Sequence, residues 1–280
     1  MKIHRVVLRL RTPLHIGWMK LGNLQRTRPY ITGKVLWGAF TARLTRDYPQ
    51  LGGDYVAVGH RVNEELAFSY FYPTVGREVN LWPWDDPDEF AWRYLNSYAA
   101  TALDYSRNAA EEGTLHETEY IAPYTRDGAP VFLVGYIFEH DGCTLPWFKV
   151  LGRLQLGGER GYGWGQVDLE DKQDWDVGRP LFGQWYVRPD TWPPRLAPAH
   201  REARLMAHAL AADFNDGERI RRAVTGIAGR IEPLVGRETT AGDRFGMHIG
   251  SAYICYAPGS RVKDPLTCQI GPFGIWEAYT

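Results

Sequence analysis

The sequence predicts an α+β fold: a ferredoxin-like or RRM-like βαββαβ core with a glycine-rich loop, irregular insertions and an elaborated C-terminal half. Three observations lead there. Segments of period two and period 3.6 follow one another as strand, helix, hairpin, helix, strand across the first 170 residues. Between the last helix and strand, "QLGGERGYGWGQV" crowds Gly157, Gly158, Gly161, Gly163 and Gly165 into one connection. The composition, 44% hydrophobic and 23% charged, is that of a chain able to bury a core.

The elements justify themselves in order. Lys2 to Leu10 alternates apolar Ile3, Val7, Leu8 and Leu10 with His4, Arg5 and Arg9, a strand with one wet face, which Pro13 helps to end. Charges interrupt its apolar runs, so it reads as a strand rather than a signal peptide. After an Arg- and Gly-rich loop, "KVLWGAFTARLTRDY" places Val35, Leu36, Phe40 and Leu44 at helical spacing and stops before Pro49. Leu51 to Asp88 has no sustained period and reads as irregular, with a short helix near Phe90 to Tyr98. "LHETEYIAPYTRDGAPVFLVGYIFEH" is extended on both sides of Arg126-Asp127-Gly128, a β-hairpin with an elaborated first strand. "LPWFKVLGRLQL" is the second helix, and Gln166 to Leu169 the closing strand. Trp175 to Pro198 reads as a connection, "HREARLMAHALAADFNDGERIRRAVTGIAG" as one or two helices, and "GMHIGSAYICYAPGS" as strand plus turn. Residues 1–170 thus form the core, with an insertion around 51–112. Residues 171–280 form a C-terminal extension, for which a second partial RRM-like module is the alternative.

Composition narrows the function classes. The balance of 32 Lys+Arg against 33 Asp+Glu leaves a net charge of −1, so a polyanion would have to meet a local patch. Cys143, Cys255 and Cys268 are odd in number and form no CxxC pair, which points to a reducing cytoplasm, no metal and no disulfide framework. No run approaches the ~18 apolar residues of a membrane span. No cofactor motif fits the glycine loop: a dinucleotide fingerprint follows a strand and opens a helix, the reverse of the order here, and the Gly-Lys-Ser/Thr of a P-loop is absent. A plain turn needs only one or two glycines. Five favour a backbone that approaches something bulky, with N–H groups turned to an anion such as a phosphodiester. Arg160 then pairs with phosphate, and Tyr162 or Trp164 stacks on a base; either ring equally suits the core.

Taken together, "LRLRTPLHIG", "RPYITGKVLWGAFTARL", "EYIAPYTRDGAPVFLVGYIF" and "LGGERGYGWGQV" resemble, in order, the first strand and His turn, helix start, central hairpin and glycine-rich motif of the RAMP superfamily of CRISPR-Cas systems. "EPLVGRETTAGDRFGMHIGSAYICYAPGS" is also similar to the ends of some type III effector members. The resemblance implies an RNA-binding protein whose glycine loop holds guide RNA, working in antiviral defence beside other effector subunits. Some members cut target RNA with an acid shortly after the His turn, but "WMKLGNLQRTRPY" contains neither Asp nor Glu, so the reading is a non-slicing subunit.

Two alternatives stand beside it. The family also includes metal-independent endoribonucleases that process precursor CRISPR RNA; His15, with Lys20, Arg26 and Arg28 near it, is the weak catalytic candidate, and a turn residue is its plainer role. His116 is weaker still, beside Glu117 and Glu119. The other alternative is a non-catalytic protein-interaction module. Local basic residues favour RNA: Arg5, Arg9 and Arg11 recur on alternate positions, and Arg26, Arg28, Lys34, Arg43 and Arg46 continue the series, with Lys34 at a helix start where phosphate is favoured. Acidic "DWDVG", "WPWDDPDEF" and "EEGTLHETE" belong to solvent or protein neighbours, with Trp82, Trp84 and Trp92 as interface anchors or local core.

Overall fold

The structure is a computed structural model that describes residues 1–217, 219–239, 246 and 248–279. Part of the C-terminal motif, residues 240–245 and 247, lies outside the described residues.

Strand β1 (Lys2–Leu10) is the centre of a mixed α+β assembly. Strands β2 (Gly17–Leu21) and β3 (Leu24–Thr27) form a hairpin after it, and α1 (Gly33–Asp47) follows. Its Leu36, Phe40 and Leu44 are fully buried, as their spacing predicts. Helix α2 (Tyr55–Glu65) lies where the sequence shows no period; it has only Val58 and Val62 to bury. Its signal is the cap: Asp54 accepts from the N–H groups of Val56 and Ala57 at 3.2 and 3.1 Å. Strands β4 (Leu66–Phe68) and β5 (Tyr72–Thr74), helix α3 (Pro87–Tyr94), β6 (Leu95–Ala100) and a small pair, β7 (Leu103–Asp104) with β8 (Ala109–Ala110), complete the insertion. Then come β9 (His116–Ile121), β10 (Phe132–Glu139), a 3₁₀ helix at Trp147–Arg153 and β11 (Val167–Asp174).

The first sheet runs β11-β1-β10-β4, with β5 also on β10, and all of its pairings are antiparallel. Helices α1 and α2 and the 3₁₀ helix pack on the face of Val6, Leu8, Leu10, Leu133 and Ile137. The opposite face carries Ile3, Tyr136 and Phe138 against a C-terminal core that includes Trp185, Leu205 and Trp276. Strand β1 is therefore covered on both sides, and its expected wet face is absent. Arg5, read with Arg9 and Arg11 as part of a basic face that favours RNA, is 3% exposed and bonded to the Arg77 carbonyl and Glu78.

Three further expectations change. The hairpin around Arg126-Asp127-Gly128 closes only at its tip, where Tyr124 bridges Pro130. Beyond the tip, β9 leaves for a separate four-stranded sheet, β2-β3-β9-β6, while β10 joins the first sheet. The segment read as a second helix is a seven-residue 3₁₀ helix followed by extended, buried Leu154 and Leu156, because Trp147 and Val150 stand three apart on one 3₁₀ face while the leucines alternate. No helix forms among the described residues of 200–229. Ala203, Leu205, Met206, Ala207, His208, Ala209 and Leu210 are all buried, so this run is covered on every side rather than on one helical stripe.

That run feeds a seven-stranded sheet built from Trp185–Arg188, Arg195–Pro198, Cys268–Ile270, Trp276–Ala278, Ala209–Leu210, Tyr253–Tyr256 and Ile231–Leu234, in that spatial order. The stretch read as a connection from Trp175 to Pro198 thus supplies two of its strands. Strand β11 continues to Asp174, so residue 170 falls inside a strand.

Candidate functional site

The glycine loop is built from the inside outward. Gly157 (φ +73°) and Gly165 (φ +78°) have no room for a side chain: a Cβ would lie 2.2 Å from the His15 carbonyl oxygen and 1.8 Å from that of Leu156. The close approach that the sequence assigns to a phosphodiester is at these two positions an approach to the protein's own chain. Gly163 (φ +80°) ends the short turn Arg160–Tyr162 in the left-handed region. Only Gly161 faces open space without a positive φ. The expected anion concavity is also largely self-satisfied: Gly158 donates to His15 at 2.8 Å, Tyr162 to Glu159 at 3.0 Å, Gly163 to Arg160 at 3.0 Å and Gly165 to Pro13 at 2.8 Å.

The loop does present side chains. Tyr162 is 82% exposed, and Arg160 is exposed. Trp164 turns inward to the edge of Tyr120 at 5.1 Å and Tyr98 at 6.4 Å, so the two rings divide the open and packed roles between them. Arg160 lines a cleft of about 330 Å³ with Arg43, Arg46 and Arg153, floored by Ala39, Ala42 and Gly152. Arg43 and Arg153 share Asp47 at 2.7 and 3.1 Å. Arg46 and Arg160 form no salt bridge among the described residues, and Asp168 is the lining carboxylate.

The other predicted site residues are engaged elsewhere. His15 is 6% exposed; its Nδ1–H donates to the Glu119 carbonyl at 2.7 Å, so it ties β9 to the glycine loop. Arg26 bonds the Glu119 carboxylate at 3.0 Å. Lys34 bonds Glu238 at 3.0 Å and lies 5.2 Å from the Phe273 ring. The start of α1 is covered by the Phe273 carbonyl, which would stand 2.3 Å from a Cβ on Gly33, so the expected phosphate position there is filled. Arg9 reaches the Tyr124 hydroxyl at 3.4 Å and Arg11 pairs with Asp168 at 3.3 Å. Trp82 and Trp84 stack at 5.3 Å as local core, while Trp92 stays 53% exposed.

Arg28 sits in a buried network for which the sequence carries no local signal. Its Nη1 donates to Glu232 at 2.6 Å; His208 donates through Nε2 to the same oxygen at 2.7 Å and accepts at Nδ1 from Tyr70 at 2.8 Å. Arg230 takes the second Glu232 oxygen at 2.6 Å. Burial holds His208 down to about 4, neutral near pH 7. Burial pushes the Glu232 carboxyl up, but bonds from His208 and Arg28 outweigh it and bring the group to about 2. Tyr30, buried beside them, is pushed up to about 12. With Tyr70 and His208 fully buried, this network braces the two halves against each other.

No protein-family model and no curated protein matches the chain. Its overall shape does have counterparts. A chain in the cryo-EM structure of the Type III-B Cmr-beta complex bound to cognate target RNA and AMPPnP superposes with a TM-score of 0.54, over 92% of this chain and 86% of that one, at 14% identity. The shared fold is that of a Type III-B Cmr-beta chain. A second Cmr-beta structure with cognate target RNA matches 60% of this chain and 96% of the other, at 13% identity and a TM-score of 0.42. The apo Cmr-beta structure does so at 11% identity and 0.39, over the same shares.

The Cmr-beta likeness spans both halves, so it includes the C-terminal sheet that the βαββαβ reading leaves unassigned. Among the described residues no group of three His, Cys, Asp or Glu is placed to hold a metal, and no helix is long and apolar enough to cross a membrane. Cys143, Cys255 and Cys268 are free thiols; burial raises all three, the first two to about 11 and about 12.

Proposed function

We propose that this chain is a RAMP-type RNA-binding subunit of a type III CRISPR ribonucleoprotein effector. It holds guide RNA in the cytoplasm, beside other effector subunits, without slicing target. The observation that carries the reading is the cleft where Arg160, on the glycine loop, shares a lining with Arg43 and Arg46 of α1. Two of these guanidinium groups, Arg46 and Arg160, are without a carboxylate partner among the described residues, and Arg160 shares its short turn with the exposed Tyr162, so phosphates and one base face have complementary contacts. The strand order β11-β1-β10-β4 supports a ferredoxin-like core, here ending after Asp174, with residues 175–280 as its C-terminal extension. The lack of Asp and Glu from Trp18 to Tyr30 supports the non-slicing role.

The reading is tested by mobility shift of labelled single-stranded RNA against the parent chain, Gly161→Asp and a double Arg46→Ala, Arg160→Ala variant at several salt concentrations. Gly161→Asp adds negative charge in open space and is the cleaner probe than Gly163, whose φ already disfavours a side chain. Both variants are expected to bind more weakly, the double variant with a salt slope shallower by about 2. Unchanged affinity and slope in folded variants would remove the cleft from the interface.

A further inference from the structure

A cavity of about 560 Å³ opens between the β2-β3 hairpin and residues 228–230 and 257–261 of the C-terminal half. It shares no lining residue with the arginine cleft. Its walls are flat and apolar, with Trp18, Tyr30, Pro83, Trp84 and Phe90 among them. Its charged lining is all cationic, Arg26, Arg28, Arg204, Arg230 and Arg261, with no carboxylate among the described residues.

The balancing acids stand outside that lining. Glu119 holds Arg26 at 3.0 Å, Glu232 holds Arg28 and Arg230 at 2.6 Å each, Asp85 holds Arg204 at 3.5 Å, and Glu202 holds Arg261 at 3.6 Å. Arg26, Arg28 and Arg230 gather 5.7, 5.9 and 5.3 Å from the Trp18 ring centre. The Trp84 Nε1–H is buried without a hydrogen-bond partner. A buried donor left unpaired is costly, and Trp84 is itself one of the cavity's lining residues.

These features select one chemistry. A cation finds no carboxylate among the described lining residues, a bare phosphate leaves the aromatic walls unused, and a neutral apolar ligand makes no use of the guanidinium donors that share the lining. An aromatic group that carries a phosphate satisfies all three, and the volume lies within the ~300–1,000 Å³ of small-ligand sites. We propose that this cavity binds one nucleotide, its base between the aromatic and proline walls and its phosphate at the mouth, where the Arg230 and Arg261 side chains are 61% and 49% exposed. Where that nucleotide belongs to an RNA chain, the inference rests on the RNA-binding reading above. A free mononucleotide offers the same contacts.

Calorimetric titration of the full chain with AMP, GMP, CMP, UMP and inorganic phosphate tests it, with Trp18→Ala, Arg261→Glu and Gly161→Asp in parallel. Expected are saturable binding of at least one nucleotide, none of inorganic phosphate at the same concentrations, and at least a tenfold loss in Trp18→Ala and Arg261→Glu. Gly161→Asp should leave nucleotide binding unchanged. Arg261 is exposed, and its ion pair among the described residues is with the exposed Glu202, so its variant carries the test if Trp18→Ala does not fold. Displacement of the nucleotide by a short single-stranded RNA makes RNA its source; RNA binding without displacement makes it a free nucleotide. Failure of all four nucleotides to bind, with RNA affinity indifferent to Arg261→Glu, overturns the proposal. If Gly161→Asp still weakens RNA binding in that case, the RNA reading stands while the pocket falls.

Discussion

The main-chain N–H of Gly158 donates to the carbonyl oxygen of His15 at 2.8 Å, and that bond joins the glycine loop to the turn after the first strand. The His15 ring continues the connection to β9 through Glu119. One histidine thus sets the position of the loop relative to two sheets.

The glycines of that loop should separate in stability measurements. Gly157→Ala and Gly165→Ala each force a Cβ into a carbonyl and a side chain into positive φ, and each is expected to destabilise by about 1–3 kcal/mol or more. Gly161→Ala has open space and should change stability by less than about 0.5 kcal/mol. Urea unfolding of the three variants decides it; equal losses would mean that the loop is not packed as described.

His15→Ala is expected to cost about 1–3 kcal/mol, because it leaves the Glu119 carbonyl without its donor, and, like the parent chain, to leave repeat RNA uncut. Incubation of labelled RNA in chelator with both proteins checks this. Specific cutting by the parent that vanishes in His15→Ala would install the endoribonuclease reading instead.

Arg28 and Arg26 are two positions apart in sequence, with losses of very different size expected. Arg28→Ala takes from the buried Glu232 carboxylate one of its two arginine partners, and breaking a buried pair costs about 3–5 kcal/mol. The Arg26 side chain is 35% exposed, and its loss should cost under about 1 kcal/mol. Matched denaturation curves with similar midpoints for both would remove Arg28 from the brace.

Acid should weaken the fold in a defined window. The unfolded His208 takes a proton near 6.5, while burial holds the native residue down to about 4; between these values the unfolded state binds more protons, so stability falls as pH falls. Glu232 acts in the same direction between 4.5 and about 2. Each group contributes a slope of up to about 1.4 kcal/mol per pH unit within its window. Buried His4, also lowered, adds to the upper window. Urea midpoints measured from pH 7 to 4 should drop, and His208→Gln should flatten part of the decline. A parent midpoint that stays constant over this range would contradict the assignment.

Much of the first half was legible because its signals are local. The spacing of Leu36, Phe40 and Leu44 marks α1 within one residue at each end, and the alternation of Lys2–Leu10 marks β1. The loop around Gly157 to Gly165 was recognisable as special, and Arg160 and Tyr162 do stand open beside it. The roles of Arg28 and Lys34 were not legible, because their partners, Glu232 and Glu238, lie 204 positions away. The fate of the Arg126-Asp127-Gly128 hairpin was hidden for the same reason: its tip is a local turn, but β9 and β10 choose different sheets by contacts made far along the chain.

Local signals alone carry the α+β class, the first strand and helix, and a glycine loop with Arg160, Tyr162 and Trp164 among its glycines, since periodicity and backbone freedom act over a few residues. Long-range contacts settle the rest: that both faces of β1 are covered, that Gly157 and Gly165 make room for the protein's own carbonyls, that Tyr162 stands open while Trp164 packs, and that five arginines line one aromatic cavity. Each of those depends on segments distant in sequence meeting in space, and burial is a property of the meeting.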